Sequence, residues 1–160
     1  MNNTYTTEQE EFWAGDFGDD YISRNDSVDL LAANLHYFSN ILGNLKTISS
    51  TFEVGCNIGM NTTALSLLLP KANHSGIEIN KKAAEICRDK GIKGEIYHGS
   101  FLDFETNNNY DLVFSKGVLI HLNPEALQDV YKRMADMSKK YVLIGEYFNP
   151  SPVNIDYRSN

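Results

Sequence analysis

Phe52-Glu53-Val54-Gly55-Cys56-Asn57-Ile58-Gly59-Met60-Asn61 is a short apolar run that empties into a turn with two glycines and then opens a helix. About twenty residues later, Gly76-Ile77-Glu78-Ile79-Asn80 reads as a second short strand ending in a carboxylate. Strand, glycine turn, helix, strand and acid in that order describe a pocket for a nucleoside-bearing cofactor at the strand tips.

Working outward, Asp26 or Ser27 can cap a helix whose apolar positions Val28, Leu31, Leu35, Phe38, Leu42 and Leu45 recur at helical spacing. The first strand covers 51–54, and a helix over about 61–69 is stopped by Pro70. The second strand covers 74–79, and Asn80 can cap a helix with Ala83, Ala84, Ile86 and Cys87 that Gly91 closes. Further strands are expected at 94–98, 110–114 and 140–146, with Pro124 in the first turn of a helix containing Leu127, Val130, Tyr131 and Met134. Strands alternating with helices imply right-handed crossovers and an α/β fold with a mostly parallel sheet and helices on both faces.

A chain of 160 residues has room for one domain. We divide it into an aromatic leader or flap over 1–26 and a ligand-binding domain over 27–160. Lys and Arg total 14 against 21 Asp and Glu, a net charge of -7, which opposes binding to a nucleic acid backbone. No apolar run approaches the ~18 residues of a membrane span, and the opening residues lack the order of a secretory signal. A cytoplasmic protein without membrane partners is expected. Two cysteines and four scattered histidines offer no metal-ligand spacing, so neither metal nor disulfide is expected.

Gly55 and Gly59 permit close ligand approach and unusual backbone angles, and Asn57 between them tolerates a left-handed conformation. Glu53 beside the turn matches a cationic group, directly or through water, better than it matches a phosphate. Glu78 can accept hydrogen bonds from both hydroxyls of a ribose. After the third strand, Ser100 and Phe101 can meet a base. Cys56 and Ile79, in the turn and at the second strand tip, and Lys116, after the fourth strand, join the same set. His121 is the one histidine near the rim and can accept a proton there; Tyr147 is a second candidate at the reaction centre, and Lys116, Tyr147 and Asn149 can orient an acceptor.

These motifs resemble the class I S-adenosylmethionine-dependent methyltransferases, and more closely the methylases associated with pseudaminic acid biosynthesis. The narrower resemblance draws on the leader from Glu11 to Asn25, on Glu53 to Gly59, on Phe114 to Leu122 and on Gly145-Glu146-Tyr147-Phe148-Asn149-Pro150-Ser151-Pro152. It implies a Rossmann-like three-layer sandwich with S-adenosylmethionine as cofactor. Glu53, Gly55 and Gly59 would surround its methionine part, Glu78 would take the ribose, and Ser100 and Phe101 would flank the adenine. Ser100 stands where many relatives carry an acid. The resemblance also implies a small acceptor methylated on oxygen or nitrogen, such as a sugar acid or sugar nucleotide in pseudaminic acid or flagellar glycan biosynthesis. Relatives usually continue into a helix and a strand pair after the fifth strand, whereas this chain stops at Asn160; it is expected to be a fragment or a short form lacking the last strands. Alternative readings are a noncatalytic S-adenosylmethionine-binding module and a nicotinamide-dependent reductase, the latter opposed by Glu53 and the missing central glycine. The leader, with Phe12, Trp13, Phe17 and Tyr21, can serve as a flap or simply pack on the domain.

Overall fold

The computed structural model describes residues 5–151. Its helices are α1 (Glu8–Ala14), α2 (Asp16–Ile22), α3 (Val28–Leu42), α4 (Met60–Leu68), α5 (Lys81–Asp89) and α6 (Leu127–Asp136). Its strands are β1 (Ser50–Val54), β2 (Asn73–Glu78), β3 (Ile96–His98), β4 (Tyr110–Lys116) and β5 (Ser138–Gly145), with two short 3-10 turns before α6.

The sheet order is β3-β2-β1-β4-β5 and all four pairings are parallel. Alternate residues of the central strands supply the two faces. Phe52 and Val54 of β1 and Val113 of β4 pack with Val130 and Met134 of α6 on one side. Leu112 and Phe114 of β4 meet Phe38 of α3 and Ala64 and Leu65 of α4 on the other. The result is the expected three-layer α/β Rossmann-like arrangement. The chain leaves β1 toward β2 on one side and returns to β4 on the other, so a crevice opens between their carboxyl ends.

Caps fix the helix starts. The Ser27 side chain accepts from the Leu30 amide at 3.1 Å, which decides between Ser27 and Asp26, and Asn80 accepts from Ala83 at 2.9 Å. Val28, expected on the packed stripe of α3, is instead 82% exposed. It is the first residue of the helix, one turn beyond the surface that α3 covers; Asn34 and Phe38 are the buried positions. The third strand, Ile96–His98, is shorter than the expected 94–98, although the amides of His74 and Gly76 still donate to the Lys93 and Glu95 carbonyls at 2.6 and 3.0 Å just before it.

Opposite the crevice, Asp111 of β4 fastens the residue just before β1 and, through Lys140, β5. Its carboxylate accepts from the Ser49 amide at 2.8 Å and hydroxyl at 2.6 Å, and Lys140 lies 3.2 Å away. Burial alone would raise its pKa, but the hydrogen bonds from Ser49 and the Lys140 charge hold it below the usual value.

Candidate functional site

The glycine turn is shaped by backbone. The amides of Gly55 and Cys56 both donate to the Ile77 carbonyl, at 2.9 and 3.0 Å, so the turn is pinned to the tip of β2. Gly55 has φ +72, Asn57 φ +47 and Gly59 φ +79, the left-handed region that glycine and asparagine tolerate best. A Cβ on Gly55 would lie 2.7 and 2.8 Å from the two Val118 methyl groups, and one on Gly59 would lie 2.4 Å from the Cys87 sulfur. Both positions therefore require glycine for space as well as for angle.

Around this turn lies a cavity of about 290 Å³ at the carboxyl ends of β1, β2 and β4. Gly55, Cys56, Asn57, Glu78, Ile79 and Phe101 line it, as do Lys116, His121 and Tyr147. Glu78 is 8% exposed, and its two oxygens accept from the Asn57 amide at 2.7 Å and the Asn80 amide at 2.8 Å. Burial raises its pKa despite those backbone donors. Tyr147 sits at the outer rim, 85% exposed.

Four expected residues do not reach the cavity wall. Glu53 is fully buried behind it, accepting from Asn61 Nδ2 at 2.7 Å and Thr62 Oγ1 at 2.5 Å; β1 points alternate residues to opposite faces, and this one faces α4. Gly59 is the N-cap of α4, where it turns the chain into the helix. Ser100 faces the leader, its hydroxyl donating to Glu10 Oε1. Asn149 is likewise absent from the wall.

Other residues join the site without a signal in the strand motifs. Glu10, Trp13 and Tyr21 come from the leader, Asn34 from α3 and Asn61 from α4. The Trp13 ring lies 4.7 Å from the His121 ring, and Trp13 also meets Phe17 and Tyr21 edge to face at 5.1 Å. The leader is held from below: Asn80 Nδ2 donates to Asp19 Oδ1 at 2.9 Å and Lys82 pairs with Asp19. Glu146 Oε1 accepts from the Val118 and Leu119 amides at 3.0 Å, fixing the loop that carries His121. Burial lowers the His121 pKa, opposed by the Glu146 charge, which favours the neutral imidazole. Among the described residues no cluster of His, Cys, Asp and Glu could hold a metal ion, and no helix is long and apolar enough to cross a membrane.

A model of a methyltransferase domain matches residues 52–141. No curated protein matches the sequence. The fold is similar to that of the plantazolicin methyltransferase BpumL in complex with SAH, with a TM-score of 0.67 at 19% identity over 85% of this chain and 56% of that one. It is also similar to the Mitomycin 7-O-methyltransferase, TM-score 0.71 at 18% identity, covering 92% of this chain and 45% of that one. A sugar N-methyltransferase from Streptoalloteichus sp gives a TM-score of 0.69 at 15% identity, covering 94% and 59%. The chain thus spans about half to three fifths of the length of these solved structures.

Proposed function

Because the chain belongs to the methyltransferase domain family, we propose that it binds S-adenosylmethionine and transfers a methyl group to an oxygen or nitrogen of a small acceptor. The observation that carries this reading is the cavity in which the buried Glu78 carboxylate and the glycine turn share a wall with an apolar flank.

The residues present fit such a cofactor. The Glu78 oxygens, with about four lone pairs between them, keep accepting capacity beyond the backbone amides they already meet, as two neighbouring ribose hydroxyls require. Ile79, Phe101 and Leu102 offer apolar contact to a base. Asn61 donates its amide nitrogen to Glu53 and its Oδ1 has no partner among the described residues, leaving an acceptor suited to an ammonium group. Glu53 acts from behind, as the acceptor that orients Asn61. When bound, the cofactor supplies a methyl group activated by a sulfonium.

The chain's own part is to align the acceptor and keep water out, which matters more for methyl transfer than a strong nucleophile does. Trp13, Tyr21 and Val118 close the wall, and movement of the leader would admit ligand. In this reading His121, beside Trp13, takes the acceptor's proton, and Tyr147 and Lys116, which line the same cavity, orient it. A sugar acid or sugar nucleotide of the pseudaminic acid or flagellar glycan kind is the acceptor class we favour, on the resemblance of the leader and tail and on the sugar N-methyltransferase among the similar folds. A cytoplasmic location belongs to the same proposal.

Calorimetric titration with S-adenosylmethionine, followed by labelled methyl transfer to a panel of sugar acids and sugar nucleotides, tests this. Binding and incorporation into one acceptor class are expected. Binding without turnover of any acceptor would favour a noncatalytic module, and binding of NADH in its place a reductase. Glu78→Ala should weaken cofactor binding by about 1–3 kcal/mol; an unchanged Kd would remove Glu78 from the ribose.

A further inference from the structure

We propose that Glu10, brought to the cavity by the N-terminal helix α1, reads the base: its carboxylate accepts a hydrogen bond from the 6-amino group of the cofactor's adenine. This rests on the cofactor reading above and adds a specificity residue that lies outside the matched segment 52–141.

Glu10 is 4% exposed and, with Glu78, is one of two carboxylates among the described residues lining the cavity. Its two oxygens have different employment. Oε2 accepts from the Thr6 amide at 3.0 Å, the Thr7 amide at 3.1 Å and the Thr7 hydroxyl at 3.3 Å, while Thr7 Oγ1 accepts from the Glu10 amide at 3.2 Å. This is a capping box, and it fixes the side chain at the mouth of α1. Among the described residues, Oε1 accepts a hydrogen bond from the Ser100 hydroxyl only, which leaves it accepting capacity.

Ser100 locates that oxygen. It lies between Gly99 and Phe101, which both line the cavity, and its own oxygen accepts from the Leu102 amide at 3.0 Å. Glu10 Oε1 is therefore held at the flank where Gly99, Phe101 and Leu102 offer their surfaces to a base. A capping box needs no burial to work; turned inward, this carboxylate loses water and gains from any further donor. A carboxylate only accepts, so the partner must present an N–H. Adenine presents an amino group at its 6-position, and hypoxanthine presents an oxygen there that the carboxylate would repel.

The test is calorimetry of the full chain with S-adenosylhomocysteine and with S-inosylhomocysteine, in which an oxo group replaces the 6-amino group. The wild type should prefer the adenosyl compound by at least about tenfold, about 1.4 kcal/mol. Glu10→Gln preserves a capping box, since Gln serves there as Glu does, but turns an N–H donor toward the base; the preference should fall about tenfold. Glu10→Asp, which withdraws the oxygens by one carbon, should lower it too, and circular dichroism checks that both variants fold. Equal binding of the two compounds by the wild type, or a full preference kept by both variants, overturns the role of Glu10. Wild type that binds neither compound instead removes the cofactor reading, and this proposal with it.

Discussion

Burial pushes the Glu53 carboxyl up to about 7 from an ordinary 4.5, against hydrogen bonds from Thr62 and Asn61 that pull it down. Its folded value exceeds its unfolded one, so the stability it contributes is fully present below about pH 4.5 and is lost as pH rises through about 7. The difference corresponds to about 3 kcal/mol. A cation arriving in the adjacent cavity favours the ionised form, so cofactor binding should release a proton near pH 6.5 and tighten as pH rises. Calorimetry in buffers of different ionisation enthalpy measures this; Glu53→Gln should abolish the release, and no release from the wild type would mean that Glu53 does not sense the ligand. At Gly55 the relevant force is steric. Gly55→Val places a branched side chain against Val118 in a backbone conformation that disfavours it. Loss of cofactor affinity beyond that of Glu78→Ala is expected in a variant that still folds, and retained affinity would reject close ligand approach at this turn. Gly55, Asn57 and Glu78 were legible as cavity residues because their backbone or strand-end position alone determines what they do. From the sequence, Glu53 and Ser100 read as contacts to the methionine part and the adenine; which way each side chain faces depends on α4 and α1, which strand motifs do not encode.

At the scale of elements, the leader is the part whose role depends on contacts rather than on its own pattern. α1 and α2 are each 7 residues long, too short to persist in isolation, and their order comes from docking. Gly18 is the contact point: a Cβ there would lie 1.9 Å from the Trp13 carbonyl and 2.8 Å from Asn80 Nδ2. Gly18→Val should therefore dislodge the leader, weaken ligand binding and shift the emission of Trp13, the single tryptophan of the chain, with little change in the main unfolding transition. Fluorescence titration and thermal melting read both effects. Wild-type emission that ignores S-adenosylhomocysteine, at concentrations where calorimetry sees binding, would place the leader away from the ligand. The aromatic content of the leader was plain in the sequence, and so was a choice between flap and packing. That Glu10, Trp13 and Tyr21 form part of the wall was not, because they approach the strand tips across the fold and share no local motif with them.

Across the whole molecule, β5 is the outermost strand of the described sheet, and Val142 and Ile144 are 41% and 44% exposed. Within the described sheet no strand pairs with the outer side of β5, and an edge with apolar side chains is a template for pairing with another chain. Concentrated protein should self-associate, and Val142→Lys with Ile144→Lys should return it toward monomer in light scattering; association unchanged by the pair would locate it elsewhere. The order of strands and helices, the glycine turn and the acid at the tip of β2 followed from the sequence alone, because hydrophobic period, helix caps and backbone-permissive residues act over a few neighbours. They were enough to fix a parallel α/β sheet with a ligand crevice. Only the tertiary structure decided which acid lines the crevice and which lies behind it, and that a helix from the start of the chain brings its carboxylate to the loop after β3. Those outcomes depend on desolvation and packing between segments about ninety residues apart, which no local pattern records.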